Sequence, residues 1–284
     1  MKYKRISFGQ GKGSITHNNR TFIANNIDRN RIADNVTFIS KSIGEVYEEL
    51  FGGAVERYNA RQKRNDRKIH GTYYEHLFHC KPSNSVITAS DKRKSFYEDV
   101  VQIGKMEDSG FGTEDFQLVA DCLTKYMNGF QARNPNFHVF NAVLHMDEVT
   151  PHLHIDYIPV GHYKRGMDTQ NGIAQALKEM GYGEGKQAIA RWRAAEVEVL
   201  NKICVIYSFL SLCTSVISCH IGIYSTFVKK YNLSFFHCSL LFLPFFTLLF
   251  YFSVFTLHCA NLLFLNTFFL RAVFHLLLIF LSED

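Results

Sequence analysis

At Ile203 the chain changes composition so sharply that the two sides of that point cannot share one folding logic. Residues 203–284 hold 15 of the 26 Phe and five of the seven Cys, but one Gly (Gly222) and one Pro (Pro244). Their only charges are Lys229, Lys230, Arg271, Glu283 and Asp284. Residues 1–202 instead mix charges, glycines and apolar residues as a water-soluble domain does, with ample material for a core. The expected organisation is a globular domain over 1–202 and an apolar helical tail over 203–284. Ile203–Val228 and Tyr231–Leu270 carry no charge, and either is long enough to span a bilayer. Membrane helices pack through small residues, yet this tail offers only Gly222, Ala260 and Ala272 as Gly or Ala. Phe, Leu, Ser and Cys share T-rich codons, so the tail reads as a frameshift product, with membrane segments as the alternative.

Within 1–202, 28 Lys and Arg stand against 24 Asp and Glu, a net charge of +4. The distribution says more than the sum. Lys2, Lys4, Arg5 and Lys12 open the chain, and Arg57, Arg61, Lys63, Arg64, Arg67 and Lys68 form a second group. Clusters of this kind either solvate a helix face or contact phosphates, which dominate sequence-independent affinity for nucleic acid. Cys80 and Cys122 are the only cysteines here and form no CxxC pair, as in a reducing cytoplasm. Lys2–Arg5 is not followed by an apolar run, so no signal peptide is expected.

Apolar periodicity places the elements. Two strands surround a polar loop in residues 1–39. Ser42 and Glu45 have capping-box spacing, and Ile43, Val46, Tyr47, Leu50, Phe51, Ala54, Val55 and Tyr58 predict a helix to about Gln62. A second helix is expected over Gln117–Phe130, its stripe Leu118, Val119, Cys122, Leu123, Tyr126, Met127 and Phe130 belonging to the core. Strands follow at Phe137–His145 and His152–Pro159. Gly172–Leu200 is expected to be helical with an interruption at Gly181–Gly185.

The chemistry concentrates in the segment from Asn141 to Asp156. Alternate residues of a strand share a face, so His152, His154 and Asp156 fall on one side and Leu153, Ile155 and Tyr157 on the other. A turn over Met146–Pro151 can swing His145 back towards the pair. A lone strand histidine is usually a hydrogen-bonded structural residue. Three within ten positions, two of them alternating beside Asp147 and Glu148, are expected to bind a metal. Three imidazoles with open positions describe a catalytic site, and the two carboxylates can orient a ligand or move a proton. A weaker constellation is Thr16–Arg20, where His17 could serve as nucleophile or base and Arg20 as a phosphate contact. Gly9–Gly13 and Gly181–Lys186 lack the spacing of a phosphate-binding loop.

These residues resemble the Mob/Pre relaxases, the MOBV family of plasmid mobilisation and recombination proteins. The likeness covers roughly residues 1–200. It rests on HNxR at His17–Arg20, the Asn-rich stretch Asn25–Asn35, HMDEVTPHLH at His145–His154, the basic Gln62–Lys68 and Gly129–Pro135. The histidine motif is the specific part. The resemblance implies an α+β fold of the HUH-like type, with a central antiparallel sheet flanked by helices. It implies metal-dependent nicking and rejoining of one plasmid DNA strand at an origin of transfer, through a covalent 5′-phosphate intermediate. Mn²⁺ or Mg²⁺ would be held by His145, His152 and His154, with His17 as nucleophile and Asp147 and Glu148 assisting. Tyr73 and Tyr74 are the alternative nucleophiles. Arg20, Arg64, Arg67 and Lys68 would contact DNA. The implied partners are plasmid DNA and conjugation machinery in a bacterial cytoplasm, with a membrane only if the tail inserts. Family members continue into a long charged helical half, which the apolar tail replaces here. The alternatives are a DNA-binding module of the same fold inactivated by truncation, a membrane-tethered relaxase, and a metallohydrolase unrelated to DNA, against which the basic clusters argue.

Overall fold

The structure, a computed structural model, describes residues 4–231, with side chains to residue 211. Strand β1 (Ile6–Gln10) leads through the short helix α1 (Ile15–Asn18) and a 3-10 turn at Arg29–Asp34 to β2 (Val36–Ser40). Helices α2 (Ile43–Ala60) and α3 (Tyr73–Phe78) precede β3 (Tyr97–Ile103). Helices α4 (Met106–Ser109), α5 (Phe116–Asn128) and α6 (Phe130–Arg133) lead to the hairpin β4 (Phe137–His145) and β5 (His152–His162). Then come β6 (Thr169–Asn171), α7 (Ile173–Glu179) and α8 (Ala188–Tyr231). The strands form an antiparallel sheet in the order β1-β3-β5-β4-β2, with β6 pairing the far end of β5. This is the antiparallel sheet flanked by helices that the family resemblance implies.

The two faces of β5 explain the layering. Leu153, Ile155 and Tyr157 are fully buried against α5, α6 and α8, together with Val101, Ala142 and Leu144 from the neighbouring strands. Each large apolar side chain buried this way is worth about 1.5–3 kcal/mol. A one-residue slip of β5 would exchange its apolar set for His154 and Asp156, so the register is strongly specified. On the opposite face α2 and α3 contribute Val46, Tyr47, Phe51, Tyr74 and Phe78 to a second core with Phe96, Phe140 and Ile158. A bulge between Val139 and Asn141 adds one residue to β4. It turns both Phe140 and Asn141 away from the α5 face.

Helix α8 is anchored by Trp192, whose ring lies 4.9 Å from Phe137, 5.5 Å from Phe8 and 5.9 Å from Tyr157. Its indole N–H donates to Asn134 Oδ1 at 2.7 Å, so the buried polar edge is satisfied. The helix runs through Lys202 without a break, and Ile203, Cys204 and Tyr207 pack on the same core as Trp192. The compact unit that carries the sheet accordingly extends to Cys213. Among the described residues no helix is long and apolar enough to cross a membrane. The part of the expected tail from residue 232 onward lies outside the described residues.

Two local expectations change. Helix α2 begins where predicted, but the Ser42 side chain makes no capping bond. The capping box is at α3, where Thr72 Oγ1 accepts from the Glu75 N–H at 3.2 Å and Glu75 Oε2 accepts from the Thr72 N–H at 3.4 Å. Strand β3 was not expected, because the adjacent acids of Tyr97–Ile103 mask its alternation.

Candidate metal centre

Three adjacent strands supply the site. In the β4–β5 hairpin His145 stands opposite His152, Val143 opposite His154 and Asn141 opposite Asp156. From the other flank β3 places Glu98 opposite Asp156. The ring centroids of His145, His152 and His154 lie 4.5–5.1 Å apart. Helix α1 brings His17 to the open side, 5.7 Å from the His145 ring and 5.9 Å from that of His154.

Hydrogen bonds on the outer side of each ring fix its tautomer. His145 Nε2 lies 2.8 Å from the Asn18 carbonyl oxygen, and His152 Nδ1 lies 2.8 Å from the Thr150 carbonyl oxygen. His154 Nδ1 lies 2.6 Å from Glu98 Oε1. Each partner only accepts, so each of these nitrogens carries the proton and the other nitrogen of the ring presents a lone pair. His145 Nδ1 and His152 Nε2 then face one another at 3.3 Å as two lone pairs. His154 Nε2 is buried with no hydrogen-bond partner. Burial, reinforced by His154, pushes the His145 pKa down to about 2. Burial and then His154 also lower that of His152. His145 and His152 are thus held neutral, as metal ligands must be. The donor set fits a borderline divalent cation, and the Glu98–His154 pair has the carboxylate–histidine form that orients such ligands.

Among the described residues two overlapping sets of ligand atoms lie within 4.8 Å of one another, His17, His145 and His154, and His145, Glu148 and His152; the expected trio His145, His152 and His154 is divided between them. Glu148 Oε1 stands 3.8 Å from both His145 Nδ1 and His152 Nε2 and 3.9 Å from His17 Nε2. It is held there by Arg20 Nη2 at 2.9 Å, while Asn26 Nδ2 donates to its other oxygen at 2.8 Å. Asp147, also expected to act in the site, is turned away from the imidazoles. It is fully buried, takes Arg20 Nε at 2.7 Å and Nη2 at 2.5 Å, and accepts from Asn35 Nδ2 at 2.7 Å. Burial raises its pKa, but the Arg20 and Asn35 bonds outweigh it and hold the carboxyl below its usual range. Arg20, expected on a phosphate, engages both carboxylates from a left-handed backbone at φ 55°. Only Nη1 remains on the His17 side, 3.4 Å from Nε2.

His17 is the most exposed of the four imidazoles, its side chain 31% exposed. Its pKa is lowered, first by burial and then by Arg20 and His154. Beneath it lies a polar layer in which sequence reasoning placed Asp156 on the histidine face but missed Glu98. Asn18 Nδ2 donates to Glu98 Oε1 at 2.8 Å and to Asp156 Oδ2 at 2.9 Å, and Asn141 Nδ2 also donates to Asp156 Oδ2 at 2.9 Å. Burial, with Glu98 second, raises the Asp156 pKa to about 8. Gly13, at φ 71°, donates its N–H to Glu98 Oε2 at 2.5 Å. A Cβ there would stand 2.1 Å from Val86 Cγ2, so the Gly9–Gly13 stretch carries glycine to close around Glu98, not to hold a phosphate. The alternation of Glu98 with Val100 and Gln102 was the available signal for it.

The remaining expected residues lie elsewhere. Arg64 and Arg67 are exposed and Lys68 is half-buried, on the turn after α2, with Arg64 paired to Asp66. Tyr73 and Tyr74 are buried in the second core, their rings 6.3 and 4.9 Å from that of Tyr47. Burial raises both phenol pKa values, the reverse of what a nucleophile needs.

Among solved structures the chain is similar to the MobM relaxase domain (MOBV) in a Mn-bound crystal structure at pH 5.5 with 22 nucleotides of plasmid pMV158 oriT DNA. The identity is 15%, over 67% of this chain and 98% of that one, with a TM-score of 0.34. A second Mn-bound crystal structure of the same domain, with 22-nucleotide oriT DNA and a 3′-thiophosphate at pH 6.8, gives 16% identity over 67% and 85% of the two chains and a TM-score of 0.32. No curated protein matches this chain. Residues 12–181, which contain the whole histidine cluster with Glu98 and Asp156, match the family model described as plasmid recombination enzyme, Mob/Pre, and the chain belongs to that family.

Proposed function

We propose that the chain is a relaxase: it nicks and rejoins one strand of plasmid DNA at an origin of transfer, with a divalent metal held by His145, His152 and His154. The observation that supports this reading is the clustering of three imidazoles, their ring centroids 4.5–5.1 Å apart, each with an acceptor behind one ring nitrogen. Mn²⁺, the metal bound in the similar MobM structures, or Mg²⁺ would supply charge neutralisation at the scissile phosphate. Glu148 stands where it can complete the ligand set.

His17 is the proposed nucleophile. Its lowered pKa keeps the ring neutral near pH 7, and its partial exposure leaves it open to a strand. The Nε2 lone pair attacks phosphorus, and an N–P bond forms as the P–O3′ bond breaks. The released 3′ oxygen takes a proton from water, and the 5′-phosphate stays on His17. Rejoining runs the same step backwards with the 3′-hydroxyl as nucleophile. Arg20 sets the position of Glu148 and lies beside the nucleophilic nitrogen. Arg64, Arg67 and Lys68 would contact the DNA backbone away from the cluster. Residues 1–202, with the α8 turns that pack on them, carry the activity, and the tail is dispensable to it. The enzyme would act on plasmid DNA in the cytoplasm and pass it to conjugation machinery.

The test is to incubate the full chain with Mn²⁺ and a supercoiled plasmid carrying the candidate origin, then denature. A covalent protein–DNA adduct labile to acid, absent in His17→Ala, is expected. An acid-stable adduct that persists in His17→Ala transfers the role to a tyrosine.

A further inference from the structure

Phe111 is 63% exposed, among the most exposed large apolar side chains described. An exposed phenylalanine alone is unremarkable on a protein surface. Its surroundings set this one apart. The Arg31 guanidinium carbon lies 3.6 Å from the Phe111 ring centroid, and Phe116 meets the ring edge-on at 5.5 Å. One face of the ring is thus backed by a planar cation, and the ring is braced from the side. Arg31 itself is buried and fixed, donating to the Met146 carbonyl oxygen and, at 3.5 Å, to that of Glu148. The ring is held at a set angle with its other face towards solvent.

Phe111 is tied through its backbone to the loop that carries Glu148. The Phe111 N–H donates to the Val149 carbonyl oxygen at 2.9 Å, and Val149 is itself 52% exposed. Val149 follows Glu148, whose Oε1 lies 3.8 Å from His152 Nε2 and 3.9 Å from His17 Nε2. The platform therefore sits one residue from a carboxylate in the cluster. A phosphodiester placed between His17 and the metal ligands carries a base on either side, and this rim is within reach of one of them.

We infer that the exposed face of Phe111, backed by Arg31 and flanked by Val149, is a stacking subsite for a nucleobase next to the scissile phosphate. The inference rests on the single-strand cleavage reading above and makes Phe111 a positioning residue. Stacking on an aromatic face accepts any base and contributes without a phosphate contact. The subsite would hold the strand in line with His17 whatever the sequence.

The test compares binding of a fluorescein-labelled mixed-sequence single strand of about 16 nucleotides to the full chain and its variants. Phe111→Leu keeps apolar cover over Arg31 but removes the π face. It is expected to weaken binding about tenfold, with an unchanged dependence on salt, because no phosphate contact is lost. Phe111→Trp is expected to restore binding and to show an indole emission quenched by the strand, whereas Trp192 is buried. Mn²⁺ affinity, read separately by calorimetry, is expected to be the same in all three proteins. Equal binding by parent and Phe111→Leu overturns the stacking subsite alone. A loss in Phe111→Leu that Phe111→Trp does not restore, or that alters the salt dependence or Mn²⁺ affinity, makes Phe111 structural and also overturns it. A parent that binds no single strand overturns the subsite together with the relaxase reading.

Discussion

Glu98 on β3 meets His154 on β5, Oε1 to Nδ1 at 2.6 Å, and this pair ties the metal centre to the middle of the sheet. Glu98 is almost fully buried and also takes the Gly13 N–H and the Asn18 amide. Burial raises its pKa, but the bonds from His154, Gly13 and Asn18 outweigh that and keep it ionised. It can therefore fix the His154 tautomer and strengthen the ring as a donor. Glu98→Gln retains the shape and removes the charge. Loss of such a supporting carboxylate costs about 10–100-fold in metal affinity. Calorimetric titration with Mn²⁺ should show that loss while circular dichroism stays unchanged, and an unaltered affinity would show that Glu98 has no influence on the centre.

Arg20 and Asp147 make a buried bidentate pair, with side chains 6% and 0% exposed. Removing one partner of such a pair strands the other charge and costs about 3–5 kcal/mol. Arg20→Ala is expected to lower the unfolding free energy from urea titration by that amount, through a lower midpoint at an unchanged slope. Arg20→Ala with Asp147→Ala should recover part of the loss, because the fully buried carboxylate is gone and only Glu148, its side chain 17% exposed, still lacks its Arg20 bond. A single variant as stable as the parent would mean that the pair contributes little net energy.

The metal-free chain should become less stable in acid through His145. In the unfolded chain this ring takes a proton below its ordinary pKa of 6.5, while in the folded chain it stays neutral down to about 2. Across that window the unfolded state binds more protons, so stability falls as pH falls, by up to about 1.4 kcal/mol per pH unit. His152 and His17 act in the same direction. Asp156 acts oppositely: its folded pKa is raised to about 8, so its contribution is lost as pH rises from about 4 towards 8. The difference between parent and His145→Gln isolates the histidine. Denaturant midpoints should show the parent's advantage shrinking below about pH 6.5, and a constant difference would show that His145 protonates equally in both states.

The legible part of the site is the part that is local in sequence. A hairpin sets His145 against His152, and strand alternation sets His154 and Asp156 beside them, so the segment from Asn141 to Asp156 could be read from spacing alone. The same alternation placed Leu153, Ile155 and Tyr157 in the core. What stayed hidden depends on distant partners. In β3 the adjacent Glu98 and Asp99 gave no reading, and their partners are distant: Asp99 is buried between Arg193 at 2.8 Å and the Tyr157 hydroxyl at 2.7 Å. Arg20 read as a phosphate contact because its partners, Asp147 and Glu148, lie more than a hundred residues away and reach it only after β4 and β5 pair. The change at Ile203 marks composition, whereas packing continues to Tyr207, because an apolar residue at helical spacing fits the core whatever follows it.

The metal centre is tested most directly by titrating the full chain with Mn²⁺ beside His154→Ala and His17→Ala. A catalytic site contributes less to folding than a structural one, so all three proteins should remain folded. The account predicts a single Mn²⁺ per parent chain, no measurable binding in His154→Ala, and binding close to parental in His17→Ala, because His17 serves as nucleophile. Parental affinity in His154→Ala would contradict the ligand assignment, and loss of binding in His17→Ala would make that ring a ligand and leave the nucleophile elsewhere.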